Sequence, residues 1–123
     1  MDKKKVLVVD DEPNIVSFLT KMLSNDYTVY RAGNGREAVD SAKKLKPALI
    51  IMDIMMPEMD GYTACSLIKS DPSTSLIPVI MLTGVGYDLN KEMALRLGAN
   101  AYLTKPFSLI DLKKTIDSLI TKF

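Results

Sequence analysis

Polar side chains stand where short apolar runs stop. Asp10 and Asp11 follow Val6–Val9, Asp53 follows Ala48–Met52, Thr83 follows Pro78–Leu82, and Thr104-Lys105-Pro106 follows Ala101–Leu103. Singly, each has an ordinary explanation, because a chain leaving an apolar core needs polar residues at its exit. Three carboxylates gathered in one place would repel one another by several kcal/mol and so need protons, a lysine or a divalent cation beside them. The chain contains no histidine, so the cation expected of an all-oxygen cluster is a hard, octahedral one, Mg²⁺ with Mn²⁺ as substitute, rather than zinc or copper.

Composition narrows the classes further. At 123 residues, 47% hydrophobic and 25% charged, the sequence suits one globular domain over residues 1–123 with a single sizeable core. Sixteen Lys and Arg against fifteen Asp and Glu leave a net charge of +1, which gives no basic field for direct nucleic-acid binding. The amino-terminal Lys3, Lys4 and Lys5 read as a solvated run. Cys65 is the one cysteine and cannot form an internal disulfide, and without histidine there is no zinc finger, serine–histidine triad or internal phosphohistidine. No run approaches the roughly 20 apolar residues of a membrane span. Met1–Lys5 leads into a strand-like run rather than a signal peptide, so a cytoplasmic location is expected.

The elements that must position these residues alternate strand and helix five times. Val6–Val9 and Ala48–Met52 are almost wholly apolar, as central strands of a parallel sheet are. Tyr27–Ala32 and Ala101–Leu103 read as edge strands, and Pro78–Leu82 completes five. Pro13 fits a first helical turn, Asn34 with Glu37 a capping box, and Ser108 with Asp111 repeats that spacing. Leu109, Leu112, Ile116 and Leu119 mark a buried stripe on the last helix. Such alternation predicts an α/β fold with a doubly wound five-stranded parallel sheet, one common order being 2-1-3-4-5. That order sets strands one and three side by side, so Asp10, Asp11 and Asp53 meet at the switch point where such sheets bind ligands.

At these residues the chain resembles the receiver domain of bacterial two-component response regulators, a flavodoxin-like fold. The matching stretches are Val6–Pro13, Asp53–Gly61, Val79–Thr83, Gly98-Ala99 and Tyr102–Phe107, in order and at the family's spacing. The resemblance implies a phosphorelay switch in which Asp53 takes a phosphoryl group from the phosphohistidine of a sensor histidine kinase or phosphotransfer protein. It implies that Asp10, Asp11, Asp53 and the carbonyl of Met55 hold Mg²⁺, Asp11 directly and Asp10 partly through water. Lys105 would meet one phosphoryl oxygen and Thr83 would move to bind another. Tyr102 would turn inward with Thr83 and alter the face of helix four, strand five and helix five that controls a downstream protein or effector domain. The family also allows a cis Lys105–Pro106 bond and dimerisation on phosphorylation. Its members are not enzymes beyond assisting their own phosphorylation and dephosphorylation.

Other readings account for less. An aspartate-nucleophile phosphatase would want an acid two residues after Asp53, where Met55 stands, and a pseudo-receiver would not need the full set of Asp10, Asp11, Asp53, Thr83 and Lys105. Gly33-Asn34-Gly35 follows the second strand and lacks a phosphate-cradling motif. Met56 reads as core, Pro57 and Gly61 as shaping the turn into helix three, and Cys65 as packed on that helix. Gly84 and Gly86 bracket Val85 in what would be a mobile loop. Met55 and Val85 sit at variable positions of the family pattern that bear on the lifetime of an acyl phosphate. Ile110 and Phe107 are candidate partner contacts.

Overall fold

The burial of the strands explains the layering. In the computed structural model, which describes residues 3–54, 56, 58–83, 88–104 and 108–120, β3 (Leu49–Asp53) is buried at every position. β1 (Lys4–Val9) starts with two exposed lysines and is then buried to its end. Side chains at 83 and 88–91 lie outside the description. Unbroken apolar runs of this kind need cover on both faces, and the helices supply it.

Along the chain, β1 is followed by α1 (Pro13–Leu23), β2 (Tyr27–Ala32), α2 (Gly35–Leu45), β3, α3 (Gly61–Ser70), β4 (Val79–Thr83), α4 (Asp88–Arg96), β5 (Ala101–Thr104) and α5 (Leu109–Ile120). All four strand pairings are parallel and the order is β2-β1-β3-β4-β5. The expected doubly wound topology and both edge strands are therefore present. β2 is half exposed along its length, as an edge strand with one neighbour should be.

Side chains alternate across the sheet with the period of two that a strand imposes. Leu7, Val9, Ile50, Met52, Val79 and Met81 face one core with Ala38 and Ala42 of α2, Ala64, Cys65 and Ile68 of α3 and Ala94 of α4. Val6, Val8, Leu49, Ile51, Ile80 and Leu82 face the other with Val16 and Leu19 of α1 and Leu112 and Ile116 of α5. Cys65 is thus packed on α3, and Met56 lies half-buried against the first core.

Local signals start the helices where they stood in the sequence. Pro13 opens α1, Asn34 Oδ1 accepts the Glu37 amide at 2.9 Å to cap α2, and Ser108 Oγ accepts the Asp111 amide at 3.3 Å ahead of α5. Asp60 caps α3 by accepting the Thr63 amide at 2.8 Å. The stripe of α5 begins one turn later than expected: Leu109 is 41% exposed, and burial runs through Leu112, Ile116 and Ile120, with Leu119 partly covered. Ile110 beside it is exposed as well, so the first turn of α5 contributes little to the core.

Candidate functional site

β1 and β3 are neighbours in a register that pairs Val9 with Met52. The next residue of each chain is Asp10 and Asp53, so the two carboxyl groups leave adjacent strands at the same level. Asp10 is 3% exposed and Asp53 6%. Asp10 remains in the ladder through its amide, which donates to the Ala32 carbonyl at 3.2 Å.

Both carboxylates also turn the chain. Asp10 Oδ1 accepts the Glu12 amide at 2.9 Å, bending β1 into α1, where the N-cap Glu12 makes no side-chain cap of its own. Asp53 Oδ1 accepts the Ile54 amide at 2.9 Å, and the same amide reaches the Leu82 carbonyl at 3.1 Å. Asp11 is exposed beside them. One carboxylate oxygen from each of Asp10, Asp11 and Asp53 lies within 4.8 Å of the others.

Such oxygens repel by about 3 kcal/mol per ionised pair at an effective dielectric near 20. Two buried carboxylates and one exposed one, with no nitrogen or sulfur among them, fit a hard divalent cation that keeps part of its water shell. The donor chemistry is thus that of Mg²⁺ or Mn²⁺. A cleft of about 320 Å³ opens beside the cluster, lined by Asp10, Asp11, Arg31, Gly33 and Glu37 among others.

Of the remaining expected residues, Thr83 ends β4 opposite Thr104 of β5, at the same end of the sheet as Asp53. Met55 and Lys105 lie outside the described residues, as do the proline after Lys105, Phe107 and the glycines around Val85. Tyr102 pairs with Met81 on β5 and packs against the core shared by α2, α3 and α4. Its hydroxyl is buried, with no hydrogen-bond partner among the described residues. Tyr62 of α3 packs against the same core, and burial, then Tyr102 and Asp60, push its phenol above the ordinary value.

Sequence reasoning did not include Arg31 and Glu37 in the cleft. Glu37 carried a signal as a cap partner, and it does hold Asn34 Nδ2 at 3.0 Å and the Gly33 amide at 3.4 Å. Arg31 had only its place near the carboxyl end of an edge strand.

A family model described as the response regulator receiver domain matches residues 6–117. The chain is 39% identical over 121 residues to a probable transcriptional regulator, ycf27, of Porphyra purpurea, covering 98% of this chain and 49% of that relative. It is 38% identical over 117 residues to protein PilH of Pseudomonas aeruginosa, covering 94% of this chain and 97% of PilH. The chain therefore spans about half the length of the first of these and nearly all of the second. Its fold matches the receiver domain of a sensor histidine kinase from Pseudomonas aeruginosa, with a TM-score of 0.90 and 30% identity over 98% of this chain and 99% of that one. That structure has a magnesium ion coordinated in the active site cleft.

Proposed function

The chain belongs to the response regulator receiver domain family, and on that premise we propose that residues 1–123 form one receiver that accepts a phosphoryl group on Asp53 in a Mg²⁺-dependent reaction. The observation that carries this reading is the convergence of Asp10, Asp11 and Asp53 oxygens within 4.8 Å at the ends of β1 and β3. A phosphohistidine of a sensor kinase or phosphotransfer protein is the donor class.

In this reading an Asp53 oxygen forms the new P–O bond while the donor's P–N bond breaks and its electron pair leaves with the imidazole. A carboxylate is a weak nucleophile, but phosphoryl transfer passes through a loose transition state, so alignment and charge neutralisation supply most of the catalysis. Bound Mg²⁺ would neutralise the charge on the carboxylates and on the phosphoryl oxygens. Asp10, Asp11, Asp53 and the Met55 carbonyl would hold it, Asp10 partly through water. Burial of Asp53 excludes water from one side of the carboxylate and fixes its direction through the Ile54 amide.

Lys105 is assigned to one phosphoryl oxygen and Thr83 to another. The shift of Thr83 and Tyr102 would change the α4, β5 and α5 face seen by a downstream protein or effector domain, a two-state element biased by one added group. The chain assists its own phosphorylation and dephosphorylation without acting on other substrates, and it works in the cytoplasm. It can dimerise when phosphorylated.

Intact-protein mass after incubation with acetyl phosphate and Mg²⁺ tests the proposal. One base-labile phosphoryl adduct, lost in Asp53→Asn and after chelation of metal, is expected. Absence of an adduct together with failure of beryllofluoride to bind would overturn it.

A further inference from the structure

The Gly33-Asn34-Gly35 motif has no part in the chemistry described so far, yet its last residue touches the loop that carries it. Gly35, the first residue of α2, is buried and donates its amide to the Met59 carbonyl at 3.0 Å. A Cβ at Gly35 would stand 2.3 Å from that carbonyl oxygen and 2.9 Å from its carbon, closer than real Cβ atoms come. Only glycine allows this approach.

Met59 lies in the segment that runs from Asp53 to α3, and the other end of that segment is held in the same way. Gly61 donates its amide to the Ile54 carbonyl at 2.8 Å, and a Cβ there would stand 2.3 Å from the Asp53 carbonyl oxygen. Between the two anchors Glu58 sits at φ 66, a left-handed conformation that a non-glycine residue keeps only when its surroundings impose it. The turn that carries Gly35 is itself fixed: Asn34 caps it, and Glu37 holds both the Asn34 amide nitrogen and the Gly33 backbone.

We infer that Gly35 is a positioning residue for the metal and phosphoacceptor site, the first turn of α2 acting as a backstop for the loop between Asp53 and α3. The inference rests on the proposed Mg²⁺-dependent function. A side chain at Gly35 would push Met59 outward and move the loop relative to Asp53, although Gly35 is not among the residues that would hold the ion or the phosphoryl group. By linkage, a Gly35–Met59 contact that favours the metal-binding arrangement of the loop is itself favoured by the metal, and by the same factor.

The test compares Gly35→Ala with Val39→Ala, a core truncation one turn along the same helix that lacks contact with Met59 through its backbone amide. Mg²⁺ affinity, unfolding in denaturant and acetyl-phosphate labelling are measured on each, with amide exchange on the parent. Gly35→Ala should weaken Mg²⁺ binding by about tenfold, as displacing the support of a metal site does, while Val39→Ala loses stability and keeps its Mg²⁺ affinity. In the parent, the Gly35 amide should slow on adding Mg²⁺ by a larger factor than the Val39 amide, which decides the matter even if Gly35→Ala does not fold. Equal Mg²⁺ affinity in the two variants, or equal slowing at the two amides, would overturn the inference and leave the proposed function standing. A parent that neither binds Mg²⁺ nor accepts a phosphoryl group would overturn both.

Discussion

Asp10 and Asp53 sit side by side because Val9 and Met52, the residues before them, are register partners on neighbouring parallel strands. The pairing is specified by burial. A slip of one residue would turn Leu49 and Ile51 away from the α1 and α5 core and Ile50 and Met52 toward it, reversing every contact of β3. The apolar core thus sets the distance between two carboxylates to which it contributes no polar atom.

Replacing Asp53 with Asn should stabilise the metal-free protein. Asn keeps an oxygen to accept the Ile54 amide but removes one charge from the cluster, so a gain of about 1–2 kcal/mol, part of the repulsion at this spacing, is expected. Denaturant unfolding in chelator checks it; a loss of stability would show that Asp53 is held by more attraction than repulsion.

Mg²⁺ should raise the unfolding free energy of the parent by about 2.7 kcal/mol at a hundredfold excess over its dissociation constant. Asp11→Ala, which removes the exposed carboxylate of the cluster, should not lower the metal-free stability, since it too relieves repulsion, and should lose most of this increment at the same concentration. Lys105→Ala should keep the increment and impair labelling by acetyl phosphate; equal loss of metal affinity would remove its assigned role.

Cys65 should be nearly inert in the native protein. Its side chain is 1% exposed, and burial pushes its thiol above the ordinary value even though the Lys69 ammonium pulls the other way. Alkylation near pH 8 should therefore be slow and should rise with denaturant in step with unfolding. Rapid native labelling would place the thiol in a path open to solvent.

Acid should remove one identifiable contribution near the loop after α3. The Asp71 carboxyl is held below the ordinary 3.8 by the amide and hydroxyl of Ser73, with Lys43 adding to the effect. Its folded pKa is depressed, so its contribution is present above the unfolded value and is lost as pH falls through the folded one. Asp71→Asn should be less sensitive to acid than the parent below about pH 4, with the two curves parallel at neutral pH; a carbon NMR titration of Asp71 gives the pKa directly.

Loss of the α2 cap in Asn34→Ala should cost about 1 kcal/mol, visible as a lower denaturant midpoint. Asp60→Ala, which loses the cap on the Thr63 amide, should cost a similar amount.

Much of this architecture could be read along the chain because its causes are local. A run such as Val6–Val9 can be satisfied only by cover on both faces, and Pro13, Asn34 and Ser108 carry their capping chemistry within three residues. The clustering of Asp10, Asp11 and Asp53 was legible because strand ends in a doubly wound sheet converge whatever the details of packing. The tertiary structure alone decided which helices cover which face, the exposure of Leu109, the place of Arg31 in the cleft and the contact of Gly35 with Met59. That last contact joins residues far apart in the chain through an amide and a carbonyl, groups almost every residue possesses. Side-chain patterns record which surfaces must be buried, whereas a backbone-to-backbone approach leaves only a glycine behind, and a glycine has many reasons to be where it is.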